Sequence, residues 1–347
     1  MAIVCAIKRH VKPYTARWDF SLIDSEPMPT SKMTHPPRAI SLFSGCGGSD
    51  AGLVAAGFDV VMANDVLAYA RDVYLANLPA TDYVLKDVRK VDTFPAAELL
   101  VGCYPCQGYS QGGARETGRD INYLFREFGR ALRAVRPKAF IVENVSGLTR
   151  TDNQPLFQEQ IANFREAGYR VEWRLLNAAD FGVAQERRRV IIVGLRDDLG
   201  LDYVWPQASH GPAAAQPHRT IRDAIGDLPE WPAGEFNDEP FHWYYLSRNR
   251  RRGWNETSKT VVSRARHMPL HPSSPELVNR GPDKFEFATD APARRFSYRE
   301  AARLQGFGDL VWPETCGMYT RYKVIGNAVP PPLFEAVARA LPDVWDA

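Results

Sequence analysis

From residue 38 to residue 196 the chain repeats one rhythm: a short apolar run, a turn, then apolar positions three and four apart on a polar stretch. Residues 39–43, 60–63, 99–101, 139–142 and 190–193 are the apolar runs, with little polar alternation. Such runs predict strands buried on both faces, as in a parallel sheet. Residues 50–56 and 67–77 carry the helical spacing. Strand alternating with helix predicts an α/β fold, a doubly wound and mostly parallel sheet with its sites at the carboxyl edge.

The rhythm stops on both sides of this block. Residues 1–37 hold several prolines and no periodicity, and read as an N-terminal extension in which Met28 and Met33 are alternative starts. Residues 200–293 are rich in proline and tryptophan and punctuated by Arg252-Gly253 and Arg280-Gly281-Pro282, which predicts a separate, smaller, irregular and β-rich domain. Helical spacing returns at 298–305 and 333–341, so residues 294–347 are expected to return to the large domain, 38–199.

Composition narrows the classes. A net charge of +2 gives no basic signature over the whole chain, so a nucleic-acid contact must come from a local patch. No apolar stretch reaches the length of a membrane span, and the apolar opening of residues 1–7 is too short for a secretory signal, so a cytoplasmic location is expected. Five scattered cysteines (Cys5, Cys46, Cys103, Cys106, Cys316) argue against a disulfide framework. Cys103 and Cys106 have redox-pair spacing, but a zinc site would need a second ligand pair, and none is present.

Candidate chemistry sits at the ends of the predicted strands. Phe43-Ser44-Gly45-Cys46-Gly47-Gly48 follows the first strand and opens a helix, where glycines let backbone amides approach a ligand. Asn64-Asp65 ends the second strand, an acid placed to bind ribose hydroxyls, or else to cap the following helix. Val66 is placed to cover a face of an adenine. Tyr104-Pro105-Cys106-Gln107 follows the third strand and precedes a glycine-rich stretch, which suits a nucleophile under a closing loop, although buried cysteines are commonly inert. Glu143-Asn144-Val145 ends a very apolar run, so its carboxyl is expected to be buried and suited to proton donation, with Asn144 orienting nearby backbone. In Gln185-Glu186-Arg187-Arg188-Arg189, strand alternation would aim Arg187 and Arg189 into one cleft, against the plainer reading of a charged strand edge.

These segments, in this order, resemble the motif series of DNA (cytosine-5) methyltransferases of the bacterial and phage restriction-modification type. The carriers are Phe43-x-Gly45-x-Gly47, Pro105-Cys106-Gln107, Glu143-Asn144-Val145 and Gln185-x-Arg187-x-Arg189. Residues 299–307 and 322–332 resemble that family's ninth and tenth motifs. The resemblance implies a Rossmann-like fold, S-adenosyl-L-methionine as methyl donor and no metal. It implies that the target cytosine is flipped out of the duplex, Cys106 attacks ring carbon 6, Glu143 acts at nitrogen 3, Arg189 holds the exocyclic oxygen and Arg187 grips a phosphate. The donor would be held by Phe43, Gly45, Gly47, Asp65 and Val66, with Asp87 and Val88 at its adenine and Pro105, Leu124, Asn327 and Val329 completing the pocket.

Three positions depart from the family pattern. Cys103-Tyr104 stands where Gly-Phe is usual, which places a second thiol beside the nucleophile and raises the prospect of oxidative inactivation; Gly308 replaces a proline. Residues 200–293 correspond to the family's target-recognition region, and 248–267 is basic within it. Arg248, Arg250, Thr260, Ser263, Arg264, Arg266 and His267, together with Gln107 and Ser110, are the expected contacts to double-stranded DNA. A monomer is expected, with any cognate restriction endonuclease acting separately. A tRNA-methylating relative is disfavoured by the missing Cys-Phe-Thr segment, and an inactive DNA-binding regulator by the intact Cys106, Glu143, Arg187 and Arg189. Amino-group methylation is disfavoured because neither Asp-Pro-Pro-Tyr nor Asn-Pro-Pro-Tyr occurs.

Overall fold

The computed structural model describes residues 35–105 and 120–345. Its centre is a seven-stranded sheet in the order β3-β2-β1-β4-β5-β7-β6. The strands are β1 (Arg38–Leu42), β2 (Asp59–Asp65), β3 (Asp82–Leu85), β4 (Leu99–Gly102), β5 (Ala139–Val145), β6 (Tyr169–Asn177) and β7 (Arg188–Arg196). The expected apolar runs are all strands, and the inner ones are buried on both faces: Leu99, Leu100, Val101, Phe140, Ile141 and Val142 have no exposed surface. β1 to β5 pair in parallel, whereas β7 runs antiparallel between β5 and β6.

That reversal matters for function. In a wholly parallel sheet the residues before a strand lie at its amino edge, away from the sites. Because β7 is reversed, Arg189 pairs with Val145 at the carboxyl end of β5.

Both sheet faces are covered. On one side α3 (Phe125–Val135) and α4 (Gln154–Glu166) bring Phe125, Phe128, Leu132, Phe157 and Phe164 against Leu100, Phe140 and Val142. On the other, α1 (Gly48–Ala55) and α8 (Pro331–Arg339) bury Leu53, Phe334 and Val337 against Val101, Ile141 and Ile191. The C-terminal helix α8 thus packs on the sheet. Tyr203 and Trp205 also pack in this layer.

The remaining helices are α2 (Ala68–Asn77), α5 (Ile221–Ile225), α6 (Tyr298–Leu304) and α7 (Met318–Asn327). α5, α6 and α7 share a third core with Val261, Met268 and Phe296. Residues 294–347 therefore divide, with α6 and α7 packing beside residues 221–268 and α8 on the sheet. Regular β structure between 200 and 293 is a single hairpin, β8 (Leu277–Gly281) and β9 (Lys284–Phe287), among loops and short turns.

One buried cluster sets a pH limit on this smaller unit. Glu300 closes a capping box with Ser297 and takes both Arg294 Nη atoms at 2.7 and 2.8 Å. His271 Nε2 lies 3.5 Å from the same carboxylate, and its Nδ1 accepts the Ser273 amide at 3.2 Å. Burial first, and then Arg294, pushes the His271 pKa down from 6.5 to about 3. The folded state keeps the ring neutral while the unfolded chain takes up a proton below pH 6.5, so stability falls as pH drops from 6.5 toward 3. By pH 4.5 this group alone is expected to remove roughly 2–3 kcal/mol. Denaturant titrations at pH 7 and pH 4.5 check this, because His271→Gln should flatten the difference; an unchanged pH slope in the variant would reject it.

Candidate active site

The loop after β1 is built to hold backbone in unusual conformations. Phe43 has φ 60°, a left-handed value that a bulky residue adopts only when its surroundings enforce it. Those surroundings include the ring of Tyr104, edge-on at 5.9 Å, and a Ser44 amide bonded to the Asn64 carbonyl at 3.0 Å. Gly45 donates its N–H to Asp65 at 3.0 Å and accepts the Tyr83 hydroxyl at 3.2 Å. Gly47 has φ 89°, and a Cβ there would lie 2.9 Å from the Tyr74 ring, so glycine is required on both counts. Beneath the loop, Asp50 is fully buried and accepts the Ser41 and Ser49 hydroxyls at 2.6 and 2.8 Å; burial raises its pKa.

At the next strand end, Asp65 accepts the amides of Val66 and Leu67 as well as that of Gly45. Burial raises its pKa, and those amides act in the opposite direction. It orders the turn that leads into α2, whose N-cap is Leu67, and it also lines the cavity. Val66 is 64 % exposed. At the end of β3, the Arg89 guanidinium grips Asp87 and holds its pKa down at about 2.

Tyr104 departs from the usual phenylalanine and adds a bond. Its hydroxyl donates to the Gln160 side chain at 2.9 Å, while the Asn144 amide donates to its carbonyl at 3.4 Å. The chain entering Pro105 is thus tied to α4 and to the end of β5. Burial, and then Glu143, pushes the Cys103 thiol pKa well up. A raised thiol pKa lowers the fraction of reactive thiolate at Cys103, which lines the cavity half-buried.

Glu143 and Arg189 form an ion pair, Oε1 to Nε 2.7 Å, with side chains only 10 % and 13 % exposed. Arg187 takes a different role from the phosphate grip expected of it. It is 2 % exposed, and its guanidinium donates to the carbonyls of Val261 (3.0 Å), Gly326 (2.9 Å) and Ala328 (3.0 Å). Those bonds engage both Nη groups in tying the residue before β7 to the 261 segment and to the end of α7. Gln185 works beside it, accepting the Val261 amide and donating to Gln305, which donates to Ala328. Gly326 admits this packing, since a Cβ there would overlap the backbone of Val262 and Ser263.

These parts enclose one cavity of about 780 Å³. Phe43, Gly45, Asp65, Val66, Asp87 and Val88 line it, as do Pro105, Leu124, Asn327 and Val329, together with Glu143, Arg187 and Arg189. Gly47 shapes the loop from below without joining the lining. Cys106, Gln107 and Ser110 lie outside the described residues. The described residues hold no cluster of side chains suited to a metal ion, and no helix among them is long and apolar enough to cross a membrane.

The described residues among the expected DNA contacts are not part of this lining and differ in freedom. Arg248 and Arg264 are exposed, whereas Arg250 donates to the Tyr245 carbonyl and Arg266 is paired with Glu239 at 2.6 Å. The Thr260 hydroxyl donates to the Glu186 carbonyl. Ser263, Arg264, Arg266 and His267 line a second, smaller cavity with Tyr319 and Lys323. Sequence reasoning assigned no role to Asp50, Gln185 or Gln305. A carboxylate on the buried face of a helix was the available signal for Asp50, whereas the two glutamines are recognisable only through partners distant in sequence.

The family model for C-5 cytosine-specific DNA methylases matches residues 38–343. The Type II methyltransferase M.BsuRI of Bacillus subtilis is 35 % identical, over 92 % of this chain and 81 % of that protein. M.MthTI of Methanothermobacter thermautotrophicus is 36 % identical, over 87 % of this chain and 96 % of its own length. Among solved structures, a DNA modification methyltransferase encoded within an E. coli prophage superposes with a TM-score of 0.67 at 21 % identity, covering 90 % of this chain and all of that one. The S. pombe Dnmt2 methyltransferase superposes at 0.64 and 18 % identity, over 88 % of this chain and 96 % of that one, and shares the fold. With motif order, sheet topology and family match in agreement, the chain belongs to the C-5 cytosine-specific DNA methylases.

Proposed function

We propose that this methylase acts on cytosines within a short sequence of double-stranded DNA, using Cys106 as nucleophile and Glu143 with Arg189 as the pair that grips the flipped base. The observation that carries this is the buried Glu143–Arg189 pair lining a cavity that Pro105, the residue bonded to Cys106, also lines. A carboxyl and a guanidinium fixed side by side match the nitrogen 3 and exocyclic oxygen of one cytosine edge. Attack of the Cys106 sulfur on carbon 6 pushes electron density to carbon 5, and hydrogen bonding of Glu143 at nitrogen 3 stabilises the charge that develops. After carbon 5 is methylated, loss of its proton reforms the double bond and expels the Cys106 sulfur.

S-adenosyl-L-methionine, when bound, supplies the electrophilic methyl group. The lining suits such a ligand, because Val66 presents an exposed apolar face within the cavity beside Asp65, and Asp87 is held as a carboxylate. Phe43, Gly45 and Gly47 shape the backbone against it, Asp65 takes the ribose hydroxyls, Asp87 and Val88 take the adenine, and Pro105, Leu124, Asn327 and Val329 complete the walls. Arg187 holds the two halves of the cleft at a fixed separation.

The enzyme works as a cytoplasmic monomer, with any cognate endonuclease acting independently. The test is base-resolution cytosine methylation mapping of DNA from a methylation-free host expressing the chain. Methylation confined to one short motif is expected. Soluble, donor-binding protein with unmodified DNA would overturn the reading.

A further inference from the structure

The most exposed large apolar residue among those described is Trp243, at 80 %, and its neighbour Tyr244 is 42 % exposed. Nothing in the chemistry above uses either. Their exposure is built in. The 242–247 turn is closed by the Tyr245 and Leu246 amides on the His242 carbonyl, at 2.9 and 3.2 Å. It is pinned inward by Tyr245, which is fully buried and donates its hydroxyl to the Met268 carbonyl at 2.7 Å. The Arg295 guanidinium stacks on the Phe241 and Tyr245 rings at 4.2 and 4.8 Å. With Tyr245 anchored below, the two preceding aromatics stay out in solvent.

The outer rings form a small array. Trp243 meets Tyr244 edge-on at 5.8 Å, His242 lies nearly parallel to Tyr244 at 6.3 Å, and His267 packs against Tyr244 at 5.5 Å. The surroundings are cationic. Burial and then Arg250, Arg264, His242 and Arg266 hold the His267 ring toward its neutral form. His267 also lines the second cavity, together with Arg264, Arg266 and Lys323. Flat apolar faces with Arg264 and Lys323 nearby, and Arg266 already paired with Glu239, complement a nucleobase flanked by phosphates, because every base offers a π-face and every linkage a negative charge. A protein partner using Trp243 as an anchor would have to bring its own acidic rim.

We propose that Trp243 and Tyr244 form a base-stacking platform, on which a nucleobase of the bound DNA that has left its helical stack packs against the indole, with Arg264 and Lys323 at the adjoining phosphates. The proposal rests on the DNA-methylating reading and adds to it a contact that reads DNA by stacking.

The test uses the motif obtained from methylation mapping. Duplexes carrying 2-aminopurine at single positions in and beside that motif are bound to the parent protein, Trp243→Ala and Trp243→Phe. At one position other than the target cytosine, emission quenched by the parent should reappear with Trp243→Ala and stay quenched with Trp243→Phe. Trp243→Ala should lower kcat/KM for DNA on the order of 10- to 100-fold. Trp243→Phe should restore most of it, with S-adenosyl-L-methionine affinity equal in all three. Parent-like kcat/KM in Trp243→Ala, or a change in its sedimentation alone, would overturn the proposal. A parent protein that leaves DNA unmethylated would instead overturn the reading beneath it.

Discussion

Cys106→Ala is expected to abolish DNA methylation, by at least about 10⁴-fold, while binding S-adenosyl-L-methionine as the parent does. Alanine has no atom that can add to carbon 6, and without that addition carbon 5 of cytosine is too electron-poor to accept a methyl group. The donor pocket draws its walls from other strand ends, so its affinity has no reason to change. A duplex with 5-fluorocytosine at the target separates chemistry from binding. Fluorine cannot leave as a cation, so the parent should form a covalent complex stable to denaturing electrophoresis, and Cys106→Ala none. Retention of more than a few per cent of parent activity would mean that another group initiates the reaction. Cys103 is the neighbouring thiol, but its raised pKa makes it a poor substitute.

The large domain was legible because its inner strands are buried on both faces, and 99–101 and 139–142 therefore read as continuous apolar runs. Strands lacking that property escaped notice. β3 is half-buried and short, and β6 alternates Arg170, Glu172 and Arg174 with its apolar positions. α3 and α4 escaped too, although α3 carries Phe125, Phe128, Ala131 and Leu132 on one buried face opposite Arg126, Arg130 and Arg133.

The site divides in the same way. Asp65, Glu143 and Arg189 lie at strand ends, where topology alone assigns a role. Arg187 is two residues from Arg189 and lines the same cavity, yet its role is set by carbonyls at 261, 326 and 328. No local pattern encodes partners at that separation. Trp243 is harder still, because an exposed tryptophan in an aperiodic stretch looks like any other until burial is known.

Glu143→Gln is expected to lower kcat for methylation by about 10²- to 10⁴-fold, with a smaller change in KM for DNA. Glutamine keeps the shape and can still touch nitrogen 3, but it has no proton to give and no charge to offset. Two consequences follow from the pairing at 2.7 Å. The ring loses the group that stabilises charge at nitrogen 3 during addition, which reads out in kcat. Arg189 also loses its counter-ion in a nearly closed environment, and an uncompensated buried charge costs up to about 3–5 kcal/mol of stability. The effects separate in the double variant Glu143→Gln/Arg189→Met, which removes the stranded charge. Stability should recover toward the parent while methylation stays lost, because the cytosine edge then meets neither group. Recovery of activity along with stability would show the pair to be scaffolding, and the proton would have to come from elsewhere in the cleft. A Glu143→Gln enzyme with kcat within threefold of the parent would remove Glu143 from the chemistry altogether.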